Sequence, residues 1–292
     1  MRFVARHFES VSPLVSIIVP TLNQARFIGQ TLASIVGQCR PNLEIIVIDG
    51  GSTDATSDVV RGFGDAITHF ISEPDRGQAD AINKGMALAK GDLLAWLNSD
   101  DYYLPCAIQR AAEILGDGSE ARLAFGGTIV HFEGQDRAAV WPAEPFNRER
   151  LKTRACILQP SAFWTRALWE KTGPLNTELH FVLDWDWFFR ASAHGEFIAI
   201  PEPLSIYRFH AGHKTGSGNP KRNEEICAFV EESAGAEWAA AFRDTAEMLK
   251  NSGSTFDQIH RLGPLSWRSA AFRKLVARHG GKVKIALTQL RV

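Results

Sequence analysis

Leu43-Glu-Ile-Ile-Val-Ile-Asp49 runs straight into Gly50-Gly-Ser-Thr-Asp54. A short β-branched run that ends on a carboxylate and two glycines reads as a buried strand emptying into a tight polar loop. The pattern recurs on both sides. Upstream, Val15-Ser-Ile-Ile-Val-Pro20 leads to Thr21 and Asn23. Downstream, residues 67–72 lead to Glu73, Asp75 and Arg76, and residues 93–97 lead to Asn98-Ser-Asp-Asp101. Helical segments separate the strands. The first places Ile28, Leu32, Ile35 and Val36 on one face, with Asn23 as its cap. A second spans 53–61, capped by Ser52 or Thr53. A third spans 79–90, closed by Gly91, and a fourth opens at Pro105 and stops at Gly116.

Strands alternating with helices predict an α/β fold, with a mainly parallel sheet covered on both faces. Ligands of such sheets bind beyond the carboxyl ends of the strands. Four successive strands release their polar clusters at that one edge, and the recurrence is stronger than any single motif. From 118 to 207 the pattern is less regular. Residues 122–130 read as a strand, Asp184-Trp-Asp-Trp-Phe-Phe-Arg190 opens an aromatic helix, and 197–200 and 204–207 read as two extended pieces. Residues 212–219 read as a Gly/Ser-rich loop, and the chain beyond Pro220 as helical. The expected division is 1–220 for the α/β unit and 221–292 for a helical extension.

The chain has 292 residues, 45% hydrophobic content and a formal net charge of −1, which suits a folded domain and gives no global basic excess for nucleic acid. Its four cysteines, Cys39, Cys106, Cys156 and Cys227, form no CxxC pair, so a zinc ribbon or disulfide framework is not expected. No apolar run approaches the roughly 20 residues that span a bilayer. Arg6, His7 and Glu9 interrupt the N-terminal segment where a signal peptide would be apolar. A cytoplasmic protein is expected, with room for peripheral contact at the inner face of a membrane.

Five constellations carry chemistry. Asp100 and Asp101 at a strand end could grip a divalent cation, or could be a solvated turn. Asp49 to Asp54, with Gly51 and Ser52, could hold a base or ribose, or be an ordinary strand-to-helix loop; neither a Walker loop nor GxGxxG is present. Arg76 could neutralise a phosphate, while Asp80, Asn83 and Lys84 share one helix face and could be a surface ion pair. Asp184 and Asp186 stand among Trp185, Trp187, Phe188 and Phe189, where a carboxylate suits general-base work; helix capping is the plainer alternative. His210 and His213 follow an extended segment, where a loop histidine is more often structural or solvent-exposed than a ligand, although Arg208 close by makes the setting compatible with a diphosphate.

Taken in this order, the motifs resemble the family 2 glycosyltransferases of the GT-A fold, over residues from about Val15 to His213. Pro20-Thr-Leu-Asn23 looks like the family's opening, and Asp49-Gly-Gly-Ser-Thr-Asp54 like its base-binding loop. Ser72-Glu-Pro-Asp-Arg-Gly and Asp80-Ala-Ile-Asn-Lys-Gly look like its central helix entry, Leu97-Asn-Ser-Asp-Asp101 like its DXD-type metal motif. Gln159-Pro-Ser161 and Asp184-Trp-Asp-Trp look like its acceptor side, Tyr207-Arg-Phe-His210 like its C-terminal metal or diphosphate contact. The resemblance implies inverting transfer from a nucleotide-sugar, by default UDP-linked, to a saccharide or lipid-linked saccharide, with Mn²⁺ or Mg²⁺. It implies Asp49 at the nucleobase and Asp100 at the ribose or metal shell. It further implies Asp101 and His210 at the metal, Asp184 or Asp186 as base, and Gln159, Trp185 and Arg208 at acceptor and diphosphate. Pro20, Thr21, Asn23, Gly51, Ser52, Asp75, Arg76, Asp80 and Lys84 would complete the nucleotide site. Two positions depart from the pattern: Leu183 replaces a common Glu, and Gly50 a common second Asp.

Two rival readings remain at this point. A nucleotidyltransferase would want a glycine-rich basic loop after the first strand, and 21–26 has no glycine. A sugar-nucleotide-binding scaffold would lack the intact Asp49, Asp101 and Asp184. The C-terminal stretch from Trp267 mixes Arg268, Arg273, Lys274, Arg278, Lys282, Lys284 and Arg291 with Phe272, Leu275, Val276 and Ile285. It suits either an amphipathic helix on an anionic membrane or a cap packed on the domain.

Overall fold

The computed structural model describes residues 12–38, 42–210, 212–214, 220–251 and 270–290. Arg6, His7, Glu9, Cys39, most of the 212–219 loop, Trp267, Arg268 and Arg291 lie outside the described residues, as does the side chain of Phe272. The first half follows the predicted alternation. Strands β1 (Val15–Thr21), β2 (Leu43–Asp49), β3 (His69–Ser72) and β4 (Leu93–Trp96) are mutually parallel in the order β3-β2-β1-β4. Helices α1 (Ile28–Val36), α2 (Thr56–Arg61), α3 (Gln78–Leu88) and α4 (Ala107–Leu115) lie between or after them. Pro20 sits beyond the last β1–β4 partner, Ile18↔Trp96, so its missing N–H forfeits no ladder bond.

The second half extends the sheet. β8 (Ala162–Thr165) pairs antiparallel with β4 and with β6 (Arg122–Phe132). β9 (Glu196–Phe209) runs parallel to β6, and β5 (Tyr102–Tyr103) closes the far edge against β9. A short β7 (Ala138–Trp141) pairs with β6 as a hairpin. The two extended pieces expected at 197–200 and 204–207 are one strand. Pro201 and Pro203 cannot donate ladder bonds, so the chain slips register opposite Gly126 and Gly127 and then resumes pairing.

β1 packs both faces. Val15, Ile17 and Val19 meet Ile28, Leu32 and Ile35 of α1 and Ala111 of α4, whereas Ile18 joins Ile82 and Met86 of α3 with Trp96 and Trp164. Each fully buried Ile or Leu here contributes about 1.5–3 kcal/mol relative to exposure. Gly85 lets α3 approach β1 closely, since a Cβ there would lie 2.5 Å from Ile18 Cγ2. Helix α7 (Leu183–Ala191) shares the Ile18 side of the core, after the shorter α5 (Arg148–Leu151) and α6 (Arg166–Thr172). The C-terminal helices are α8 (Pro220–Ala234), α9 (Ala236–Asn251), α10 (Ala270–His279) and α11 (Lys282–Leu290). Ile226, Phe229, Val230, Phe242, Ala286 and Leu290 lie in the same apolar cluster as Trp185 and Phe188, so these helices pack as a cap on the body.

Three local expectations change. Asn23 does not cap α1, which starts five residues later; it sits at φ +54° and its Oδ1 accepts from the Thr53 N–H at 2.9 Å. The start of α2 is held by Asp54, whose Oδ1 accepts from the Thr56 N–H at 3.0 Å, in place of Ser52 or Thr53. Pro105 and Gly91 lie outside helices: α4 starts after Cys106, and α3 ends at Leu88.

Candidate functional site

A cavity of about 430 Å³ opens at the carboxyl ends of β1 and β4. Pro20, Thr21, Asp75, Asn98 and Asp100 line the side built by the parallel strands. Gln159, Asp184 and Trp185 line the opposite side, together with Arg222 and Gln289 of the C-terminal helices. The sheet therefore brings residues about 160 positions apart to one space, as the strand-end argument requires.

The loop after β2 is tied down from within. Asp49 is buried, and its carboxylate accepts from the Ser52 N–H at 3.1 Å and from Ser57 and Ser72 hydroxyls at 3.2 and 2.6 Å. The Ser52 hydroxyl also bonds Asp49 and accepts from the Asn23 N–H at 2.7 Å. Gly51, at φ +87°, supplies the turn that needs no side chain. Asp49 thus pins the loop and does not line the cavity, while Asp75 does. Asp75 Oδ1 accepts from the Gly77 N–H at 2.8 Å.

Asp80 accepts from Arg76 at 3.0 Å, which lowers its pKa, and Lys84 reaches Glu73 at 2.8 Å and Asp80 at 3.7 Å. Arg76 is largely exposed, but Asp80 is buried and Lys84 about a third exposed, so the Asp80–Lys84 pair is present at 3.7 Å without the helix face being a solvated one. Asn83 turns inward and clamps Leu175 through both its amide atoms, at 2.9 and 3.0 Å.

At the end of β4 the two aspartates part. Asp101 is buried; its Oδ1 accepts from the Arg208 backbone N–H at 2.9 Å and its Oδ2 faces Asn98 Nδ2 at 3.4 Å. Burial first, and the neighbouring charge of Asp100 second, push its pKa well above the usual carboxylate range. Asp100 faces the cavity, and its Oδ2 lies 3.1 Å from His210 Nε2. His210 packs on Phe27 with ring centroids 4.6 Å apart. Carboxylate oxygen and imidazole nitrogen side by side form a donor pair that suits Mn²⁺ or Mg²⁺ chemistry. Among the described residues no cluster of three His, Cys, Asp or Glu is placed to bind a metal. An ion here would draw further oxygen ligands from a bound diphosphate or water. Arg208 does not reach the cavity: its guanidinium lies over Phe27 and Tyr102 and donates to Gln30 at 2.6 Å.

The candidate bases also separate. Asp186 is paired with Arg190 at 2.9 Å, and Arg190 is itself anchored on the carbonyls of Thr172 and Pro174. Asp184 lines the cavity and accepts only the Trp185 N–H, at 2.8 Å, among the described residues. Burial raises its pKa, against the Trp185 hydrogen bond and the charges of Lys214 and Arg222. Trp185 is fixed by its indole N–H on the Leu151 carbonyl at 2.6 Å and packs on Phe229. Two buried acceptors in the cavity wall have no partner among the described residues: Gln159 Oε1, whose amide nitrogen holds the Trp96 carbonyl at 2.7 Å, and Thr21 Oγ1.

Among the cavity residues that the sequence reading did not single out are Gln78, Lys214 and Arg222. Lys214 donates to Gln78 Oε1 at 2.9 Å, and Gln78 donates to Asn98 Oδ1 at 2.7 Å. His213, buried beside Tyr207 and Phe209, has its pKa pushed down to about 4, mainly by burial.

The glycosyl transferase family 2 sequence model matches residues 16–167. A PGL/p-HBAD biosynthesis glycosyltransferase of Mycobacterium bovis is 32% identical over 183 residues, which cover 61% of this chain and 70% of that protein. Chondroitin synthase of Pasteurella multocida is 31% identical over 188 residues, 63% of this chain and 19% of the synthase. Among solved structures, S. aureus TarS 1-349 in complex with UDP-GlcNAc superposes with a TM-score of 0.54 at 18% identity, covering 95% of this chain and 89% of that one. Mannosyltransferase PcManGT from Pyrobaculum calidifontis, in complex with GDP-Man and Mn²⁺, gives 0.54 at 19% identity, covering 96% and 74%. The likeness to these two structures is one of fold.

Proposed function

Because this chain belongs to glycosyl transferase family 2 and is a glycosyltransferase of GT-A fold, we propose that it is an inverting enzyme. It moves a sugar from a nucleoside diphosphate donor, UDP-linked by preference, to a hydroxyl of a saccharide or lipid-linked saccharide in glycan synthesis. The nucleotidyltransferase and scaffold readings fall with the family assignment.

The observation that carries the reading is that Asp184, with no ion-pair partner among the described residues, shares one cavity with Asp100 and Thr21. In the proposed step the acceptor hydroxyl gives its proton to the Asp184 carboxylate as its oxygen attacks the anomeric carbon. The new C–O bond forms on the face opposite the donor phosphate, and the anomeric C–O(phosphate) bond breaks, its electron pair leaving with the nucleoside diphosphate. A carboxylate kept in an apolar pocket has the raised basicity such a step needs. Asp100 and His210 would hold a divalent cation, which supplies charge neutralisation for the diphosphate. Gln159 Oε1 and Thr21 Oγ1 are free to accept hydroxyl or amide hydrogens from donor or acceptor.

No described helix is long and apolar enough to cross a membrane. The apolar residues of α11 are buried, Ala286 and Leu290 against the body and Val283 and Leu287 against Met248 and Leu275 of the neighbouring C-terminal helices. Peripheral contact with an anionic bilayer would therefore run through the exposed Arg273, Lys274 and Arg278 of α10, and would be salt-sensitive.

Thermal stability against UDP, GDP and dTDP, with Mn²⁺, Mg²⁺ or EDTA, tests the function. A ligand that binds only the folded state raises the melting temperature by mass action. A shift with one nucleotide, reduced by EDTA, is expected; no shift with any nucleotide sinks the reading.

A further inference from the structure

The cavity holds two cations that the family motifs do not account for; both lie near Asp184, and they are anchored on different elements. Lys214 is tied through Gln78 to Asn98, on the side of the Asp100–His210 pair. Arg222 belongs to α8 and is tied to the C-terminal helix: its Nη2 donates to the Gln289 carbonyl at 2.9 Å. The Gln289 side chain in turn accepts the Ala155 N–H at 3.0 Å. These contacts build a wall from α8, α11 and the 155–159 segment, all of it lining the cavity.

Arg222 spends one of its five N–H donors on that carbonyl and makes no ion pair among the described residues. A guanidinium largely withdrawn from water without a carboxylate is costly, and its pKa is lowered to about 10 chiefly by burial. The remaining fork is preorganised for a planar or tetrahedral oxyanion. Gln159 Oε1, a buried acceptor without a partner, lies in the same wall and also points to a ligand that brings hydroxyl groups.

An in-line displacement puts the base on the acceptor's side of the anomeric carbon and the leaving group opposite. A cation beside Asp184, held by Gln289 of the C-terminal helix and not by the Gln78–Asn98 chain, is placed to meet the acceptor. We infer that Arg222, set by Gln289 and Ala155, forms an acceptor subsite that binds an anionic group of the acceptor, a phosphate or a sugar carboxylate, next to Asp184. The inference rests on the glycosyl-transfer reading above.

The test loads the full-length enzyme with saturating UDP and Mn²⁺, so that the donor side is filled. It then titrates inorganic phosphate, glucuronate and, as neutral control, glucose by calorimetry. The wild type should bind at least one anion. R222M should weaken that binding by about 10- to 100-fold, as for loss of a charged hydrogen-bonded contact, with UDP affinity unchanged. Preference for phosphate identifies a phosphorylated acceptor, and preference for glucuronate an acidic sugar. Absence of anion binding to the UDP-loaded wild type overturns the inference, as does equal binding by R222M. An anion that binds only when UDP is absent would be occupying the donor's own site, and also overturns it. If R222M loses UDP binding as well, R222K decides: it should retain the anion at reduced affinity, and an unchanged affinity would remove Arg222 from the site. Failure of the wild type to bind UDP would instead strike the glycosyl-transfer reading.

Discussion

The Asp75 carboxylate fills the space over Gly50: a Cβ built on Gly50 would stand 2.6 Å from Asp75 Oδ2 and 3.1 Å from its Cγ. The glycine that departs from the family's paired acids thus lies under an acid supplied by the next loop. Restoring the more usual residue should therefore harm this protein. G50D forces two carboxylates and a Cβ into one site, at a cost of about 1–3 kcal/mol. UDP affinity should fall about tenfold or more, by the same free energy. The double variant G50D/D75A should bind better than G50D; purely additive losses would mean the two positions do not interact.

Asp184→Asn should lower kcat by about 10²–10⁴-fold, the range for a general base, while nucleotide binding persists. The wild-type rate should fall on the acid side at a pH above the ordinary carboxylate range, because burial raises this pKa. Stability follows the opposite sense. A carboxyl that holds its proton more tightly when folded loses stability as pH rises from its unfolded pKa to its folded one. D184N should accordingly gain stability over the wild type at neutral pH and lose that advantage in acid. Unfolding curves at both pH values check this, and a pH-independent difference would count against burial as the cause.

His210→Ala should weaken the Mn²⁺-dependent part of UDP binding by about tenfold or more. It should leave binding in EDTA nearly unchanged, because the imidazole would act on the nucleotide only through a cation shared with Asp100. Calorimetry with and without metal separates the two; an equal loss in both would make His210 a structural residue packed on Phe27.

Gly85→Ala probes the seat of α3 on the sheet. Its Cβ would meet the branched side chain of Ile18, which is fully buried and cannot swing away. A loss of about 1–3 kcal/mol in denaturant unfolding is expected, despite alanine's better helix propensity. I18A removes both Cγ atoms that the new Cβ meets, so G85A should cost less in that background than in the wild type.

Strands β1, β2 and β4 were legible because each is buried on both faces. A strand with two apolar faces is a near-continuous apolar run, and Ile45–Ile48 or Ile17–Val19 cannot be read otherwise. The clustering of Thr21, Asp75 and Asp100 followed from parallel strands ending at one edge. What the sequence left open was long-range. Whether Asp49 faces a ligand or its own loop depends on Ser57 and Ser72, 8 and 23 residues away, which share its carboxylate. Arg208 carries the right charge for a diphosphate, but aromatic rings at Phe27 and Tyr102 hold it elsewhere. Arg222 lies in a stretch with no motif at all, and only tertiary packing brings it to Asp184. Asp186 and Asp184 look alike in sequence; the i+4 arginine at position 190 is what distinguishes them.

The wall formed by Arg222, Gln289 and Ala155 has a bearing on how such a chain can diversify. Residues 222 and 289 lie beyond the stretch matched by the family model, which ends at 167. On the proposed reading the wall joins Ala155, inside that stretch, to Arg222 and Gln289, outside it. A substitution in the last quarter of the polypeptide would then reshape one side of the acceptor's berth and leave the strand ends that carry Thr21, Asp75 and Asp100 as they are.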